Sequence, residues 1–305
     1  MAVDRTPTPA EFVNRLTSAF EERGRPFALL RLLQEAEAEH SDHALPYKGY
    51  WAISNALKCL FLETTALVND YRSKPGVLMP EYYALFVPKL VHNFSTICAA
   101  EHAAALGYPM QGFTLLRNVF DQSVLTSAAA QGMVGFYSLE GVMPGTPLDP
   151  RQAKRLKKQT EFEVRRKFTG DDCGLSAETR AELDVLDALY DYETHGGQVS
   201  LADAMPWMNG QEGLRVVPEF KERRMAAFFN RANECQWMLH RLLPFTQAVN
   251  SPFPETWGSK WRLLDESFHY IVRSLTDQLG KRIGAAIVEF VEAKFPFSEK
   301  SGFPR

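Results

Sequence analysis

The sequence predicts an all-α protein: an elongated multi-helix bundle with an inserted charged helical hairpin and an irregular loop. Three observations predict it. Apolar residues recur at helical spacing along most of the chain, the periodic runs are long and joined by short Gly/Pro connections, and no stretch shows the sustained alternation of a strand.

The elements follow in order. Pro9-Ala10-Glu11 opens a first helix with Phe12, Leu16 and Phe20 on one face. Pro26 opens a second, which ends in the acidic run 35–40. Ser41 to Pro46 breaks the pattern, and a long helix runs from about Tyr47 to Arg72, closed by Lys74-Pro75-Gly76. Pro80 starts another that reaches Leu106, with Gly107 as its stop and Pro109 just beyond. The helix carrying Arg117 follows and ends near Gly132. Residues 141–150 are the clearest linker.

Two charged helices come next. Between Arg151 and Lys167 there are eight Lys/Arg against Glu161 and Glu163; between Asp171 and Glu193 there are eight acids against Arg180. The simplest reading pairs them across a hairpin; the other gives 151–167 an external partner, RNA or an acidic protein. Gly196 to Pro218 is irregular and contains Met205-Pro206-Trp207-Met208. Two long helices, about 218–249 and 255–295, close the chain, the second with a kink at Gly280 or Gly284. The organisation is therefore an N-terminal bundle half (1–140), a linker with charged hairpin and loop (141–217), and C-terminal helices (218–305) that complete the same bundle in one domain.

Composition bounds the function. The chain has 305 residues, is 45% hydrophobic and 23% charged, and carries a formal net charge of −3. Such a balance gives no global attraction to nucleic acid or to an anionic membrane. The four cysteines are far apart and form no CxxC pair, so neither a zinc site nor a redox motif is indicated; Cys59, Cys98 and Cys235 read as buried free thiols. The N-terminus lacks the apolar core of a secretory signal, and no apolar stretch approaches the ~18 residues of a membrane span. The expectation is a cytoplasmic protein without a membrane partner. GxGxxG, P-loop, HExxH and GxSxG are all absent, and no cofactor or metal is expected.

Three groups of residues stand out. Arg117 falls inside the apolar stripe of Phe113, Leu116, Phe120 and Val124, with Asp121 one turn later. An arginine aimed at a core needs a partner, so a buried Arg117–Asp121 centre is expected, either fixing helix register or binding a small anion. His195 ends the acidic helix before Gly196-Gly197. The two glycines permit close backbone approach, and His195 is expected within reach of Arg117 and Asp121. Further on, Arg262, Glu266, His269 and Arg273 share one helix face, opposite Leu263, Leu264, Tyr270 and Ile271. That face reads either as solvated or as an Arg/His pair for phosphodiester chemistry. Two Glu-x-x-His pairs, Glu37 with His40 and Glu266 with His269, are the raw material of a di-iron bundle, with Glu63 or Glu101 as further ligands; the chain order does not fit that fold.

The segment Leu115-Leu116-Arg117-Asn118-Val119-Phe120-Asp121, with His195 after a Tyr-rich helix, resembles a set of bacterial all-helical proteins, some of them grouped with the HEPN-like families. Several of these act as RNases in phage defence through an Arg-x(4–6)-His motif, and Arg262 to His269 has that spacing, with Leu263 where active members carry a polar residue. The resemblance implies a helical bundle and, as one alternative, a metal-independent endoribonuclease using Arg262 and His269. The other alternative is an interaction, sensor or small-anion-binding scaffold organised around Arg117, Asp121 and His195. A homodimer is compatible with both.

Overall fold

The Thr8 hydroxyl accepts from the Glu11 amide while the Glu11 carboxylate accepts from the Thr8 amide, and this capping box starts α1 (Pro9–Ala19). The computed structural model describes residues 8–22, 24–26, 28–44, 47–76, 81–194, 222–247, 253–279 and 281–296. A two-residue antiparallel ladder, β1 (Glu21–Glu22) with β2 (Arg25–Pro26), leads to α2 (Ala28–Ala44). Then come α3 (Lys48–Arg72), α4 (Glu81–Ala105), α5 (Pro109–Ala130) and the single turn α6 (Phe136–Leu139). The charged pair is α7 (Pro150–Thr169) and α8 (Ala177–Thr194). α9 (Glu222–Leu242) runs into a 3₁₀ turn (Leu243–Thr246), and α10 (Glu255–Leu279) and α11 (Lys281–Lys294) follow. The chain is an all-α multi-helix bundle, as its periodicity predicts. No helix among the described residues is long and apolar enough to cross a membrane.

α9 is the centre of the bundle. α3, α4, α5, α10 and α11 all pack against it, and from Met225 to Leu243 it buries Phe228, Phe229, Trp237, Met238, Leu239 and Leu242 among others. Gly112 lets the neighbours close in: a Cβ there would stand 2.6 Å from the Phe228 ring and 3.0 Å from the Ala100 carbonyl oxygen. Residues from 44 to 295 contribute to one contiguous apolar cluster, which joins all three segments recognised in the sequence.

Three details differ from expectation. The long helix foreseen over 255–295 is two helices packed on each other. His269 Nε2 lies 3.5 Å from Glu292 Oε1, whereas a straight helix would put them about 35 Å apart, so the chain reverses between them. The charged helices are not zipped together. α7 lies on α5 and α6, and α8 lies on α11 and α5. Each follows its apolar face: α7 buries Val164 and Phe168, α8 buries Leu186, and Thr179 at the start of α8 donates to Glu289 of α11. Burying one such side chain is worth about 1.5–3 kcal/mol, more than the 0–1 kcal/mol of an exposed ion pair, so packing decides the arrangement. Finally, only Cys173 and Cys235 are buried; Cys98 is half-buried and Cys59 exposed. The irregular loop 196–218, with Met205 to Met208, lies outside the described residues.

Candidate functional site

Three polar centres hang on α9, and one strongly charged face lies outside them. The first centre contains the residues that the sequence singled out. Arg117 is half-buried rather than buried, because Phe113, Leu116, Phe120 and Val124 take the core side of α5 and leave the arginine at its margin. Its Nε lies 3.8 Å from Asp121 and its Nη1 3.7 Å from Asp187 of α8. Arg165 of α7 reaches the same Asp121 at 3.2 Å. On α9, Arg231 bonds Glu234 at 2.5 Å, approaches Asp187 at 3.9 Å and lies over the Phe120 ring at 4.5 Å. Burial raises the Glu234 carboxyl pKa against the opposing pull of Arg231. Among the described residues, three cations and three carboxylates thus tie α5, α7, α8 and α9 together; Asp187 and Glu234 also border a cavity of about 30 Å³ beside Arg180, Asp184 and Phe290, room for a water molecule. Among the described residues each of these cations faces a carboxylate, which leaves a small anion no bare cation here. His195, expected here, lies outside the described residues.

The second centre was not foreseen as such. Glu101 of α4 is 3% exposed. Its Oε1 accepts from Tyr50 Oη (2.6 Å), Ser54 Oγ (2.5 Å) and Gln236 Nε2 (2.7 Å), and Lys58 Nζ lies 2.6 Å from Oε2. Burial, and then the Glu101 charge, push the Tyr50 phenol pKa well up, so this hydroxyl stays a donor. The sequence offered Glu101 as a metal ligand; the structure gives its Oε1 three protein donors and sets the Lys58 ammonium against its Oε2. Glu37 and His40 are likewise committed, Glu37 to the Tyr108 hydroxyl (2.7 Å) and His40 Nδ1 to the Ala105 carbonyl (3.0 Å). Among the described residues no His, Cys, Asp and Glu group is placed to hold a metal ion.

The third centre surrounds Asp265 of α10. Trp237 Nε1 donates to it at 3.1 Å, Arg241 Nη1 lies 3.3 Å away, and the Nε2 atoms of His240 and His269 stand at 3.6 and 3.7 Å. His240 is fully buried and stacked on Trp261 with ring centroids 4.6 Å apart. Burial, reinforced by the Arg241 charge, holds its pKa well below the ordinary histidine value. His269 is turned to Asp265 and Glu292, whereas Arg262, two turns earlier, is held by Glu255 and Ser259. The arginine that shares a carboxylate with His269 is Arg241. The expected faces of α10 are also rotated: Leu263 and Tyr270 are exposed, and Trp261, Leu264, Phe268 and Val272 are inside.

The fourth feature is the outward face of α7. Arg151, Lys154, Arg155, Lys158 and Arg166 are exposed and make no ion pair among the described residues. At about 100° per residue they share, with Arg165 and Phe162, a sector roughly 120° wide opposite the buried Thr160, Val164 and Phe168. Glu161 and Glu163 fall on the flanks of that sector. Both ends of the helix are fixed: Asp149 and Gln152 form a capping box at its start, and Lys294 donates to the Lys167 and Cys173 carbonyls at its end. Comparison with protein-family models, with curated proteins and with solved structures finds no match to this chain.

Proposed function

We propose that this chain is a helical interaction protein that binds a polyanionic partner through the outward face of α7. The observation that carries this reading is the set of exposed cations, Arg151, Lys154, Arg155, Lys158 and Arg166, which make no ion pair among the described residues although the chain's net charge is −3. The acidic helix that would neutralise them packs elsewhere, so the field of α7 is directed at solvent. The reading differs from a small-anion site at Arg117, where every cation already faces a carboxylate. In this proposal the core centres have a supporting role: through Arg165 and Asp121 they fix the orientation of α7.

The test is retention on immobilised heparin. The protein is expected to bind and to elute with salt. The triple variant Arg151→Glu, Arg155→Glu, Lys158→Glu is expected to pass through, with its helical circular dichroism unchanged, because all three positions are exposed. Equal elution of the two proteins would sink the proposal.

A further inference from the structure

Resting on the polyanion reading, we infer that the partner is a single-stranded nucleic acid, whose bases stack on Phe162. Phe162 is 68% exposed, the most exposed phenylalanine among the described residues, and it stands at the middle of the charged face of α7. Lys158 precedes it by one turn and Arg165 and Arg166 follow by one turn, so cations bracket the ring along the helix. The apolar side of α7 is not available to explain it, since Val164 and Phe168 are already inside the bundle.

The partner is decided by what a planar apolar ring among cations can add. A peptide of acidic side chains or a heparin chain satisfies the cations and leaves the ring idle. A duplex satisfies the cations too, but its base faces are stacked inside and only their edges reach the grooves. An unpaired strand presents phosphates and base faces together, and base–aromatic stacking is the usual complement to a basic track in proteins that bind such strands. From Arg151 to Arg166 the track spans about 22 Å at 1.5 Å per residue, enough for a run of several nucleotides. Glu161 and Glu163 border it and confine the strand to the sector that holds Phe162. The ring is also carried on a rigid support, because Arg165 is anchored to Asp121 at 3.2 Å and the helix ends are capped. An anionic membrane would meet a single apolar side chain on an otherwise charged face, well short of the apolar stripe by which interfacial helices insert.

Fluorescence anisotropy distinguishes these partners. The full chain is titrated against a labelled 12-nucleotide single-stranded RNA of mixed sequence, the same sequence as a duplex, a poly-glutamate peptide, and phosphatidylserine vesicles. The single strand is expected to bind most tightly, and log affinity is expected to fall with log salt at a slope of about −3 to −4, from roughly −0.7 for each of five cations engaged. Phe162→Ala is expected to weaken the single strand by roughly 5- to 100-fold and to leave heparin and duplex binding unchanged, while Phe162→Trp keeps or improves the single-strand affinity. A Phe162→Ala variant that binds the single strand like the parent, or loses duplex and single strand equally, overturns this inference. So does tighter binding of the peptide or the vesicles. In each of those cases retention on heparin, and its loss in the triple charge reversal, would still stand, so the two readings fail separately.

Discussion

Glu101 keeps a charge inside the bundle because Tyr50, Ser54, Lys58 and Gln236 all converge on it. Removing the acceptor leaves buried donors with nothing to meet, which is costlier than the net worth of the bonds. Glu101→Ala is expected to lower stability by about 3–5 kcal/mol, read as a lower urea midpoint with an unchanged slope. A midpoint equal to the parent's would show that water replaces the carboxylate. His240 makes the opposite kind of statement, because the folded chain holds it neutral. In the unfolded chain the ring titrates near its ordinary value of about 6.5. Below that pH the unfolded state takes up a proton that the folded state refuses, so stability is fully present above about pH 6.5 and is lost as pH falls, by at most ~1.4 kcal/mol per pH unit. The ring nitrogens make no hydrogen bond among the described residues, and the imidazole stacks on Trp261, so His240→Phe is expected to fold. Its stability relative to the parent should rise steadily as pH is lowered from 7 to 5. Parallel stability curves would rule out this role for His240.

At the scale of the element, α7 shows how a helix that faces solvent with most of its charge is nonetheless fixed. Lys294 meets the Lys167 carbonyl in the last turn of this helix and the Cys173 carbonyl just beyond it; the ammonium is largely buried over the Phe168 ring at 5.3 Å, and burial lowers its pKa. Lys294→Met removes the donor from two carbonyls and is expected to cost about 1–3 kcal/mol. Hydrogen exchange locates the effect: amides of residues 166–170 should exchange faster while those of α3 hold their rate. A uniform change across both would mean that Lys294 supports the whole core and not this helix end. α10 and α11 illustrate a different device. Asp265, His269 and Glu292 form a polar seam along the two antiparallel helices, each of which also buries a phenylalanine, Phe268 and Phe290. Gly284, one of the two glycines that suggested a kink, lies inside α11; periodicity alone cannot separate a kink from a complete turn, because both keep the apolar phase within each arm.

For the whole molecule, the helices and most of their ends are legible in the sequence. Pro80, Gly107, Pro109 and Gly132 bound α4 and α5 within a residue or two, since these residues forbid or favour particular backbone angles locally. The stripe of α5 is legible for the same reason. What surrounds α9 is not. Arg231, Glu234 and Arg241 project to one side of it and Asn233, Gln236 and His240 to the other, so no wet face marks the helix and none of the six announces its partner. Those partners, Asp187, Glu101 and Asp265, come from three other helices and are distant in sequence. Arg117 misled in the reverse direction: its phase is nearly apolar, but the helices that cover it leave one side open.

The position of α9 at the hub has a consequence for how the polypeptide is made. Ribosomes release the N-terminal segment first, and until α9 is made α3, α4 and α5 have no central helix to pack against. During that interval Phe113 lacks Phe228, Glu101 lacks Gln236, and Asp187 lacks Arg231. A chain halted at residue 194 should therefore be an adhesive, non-cooperative species: it should bind a hydrophobic dye and melt without a transition, where the 305-residue chain should melt in one. If the halted chain instead melts sharply, the first eight helices own a core that does not wait for α9. Otherwise the emerging protein depends on being shielded until its last third arrives, and a stalled or truncated message yields a product for the proteolytic machinery.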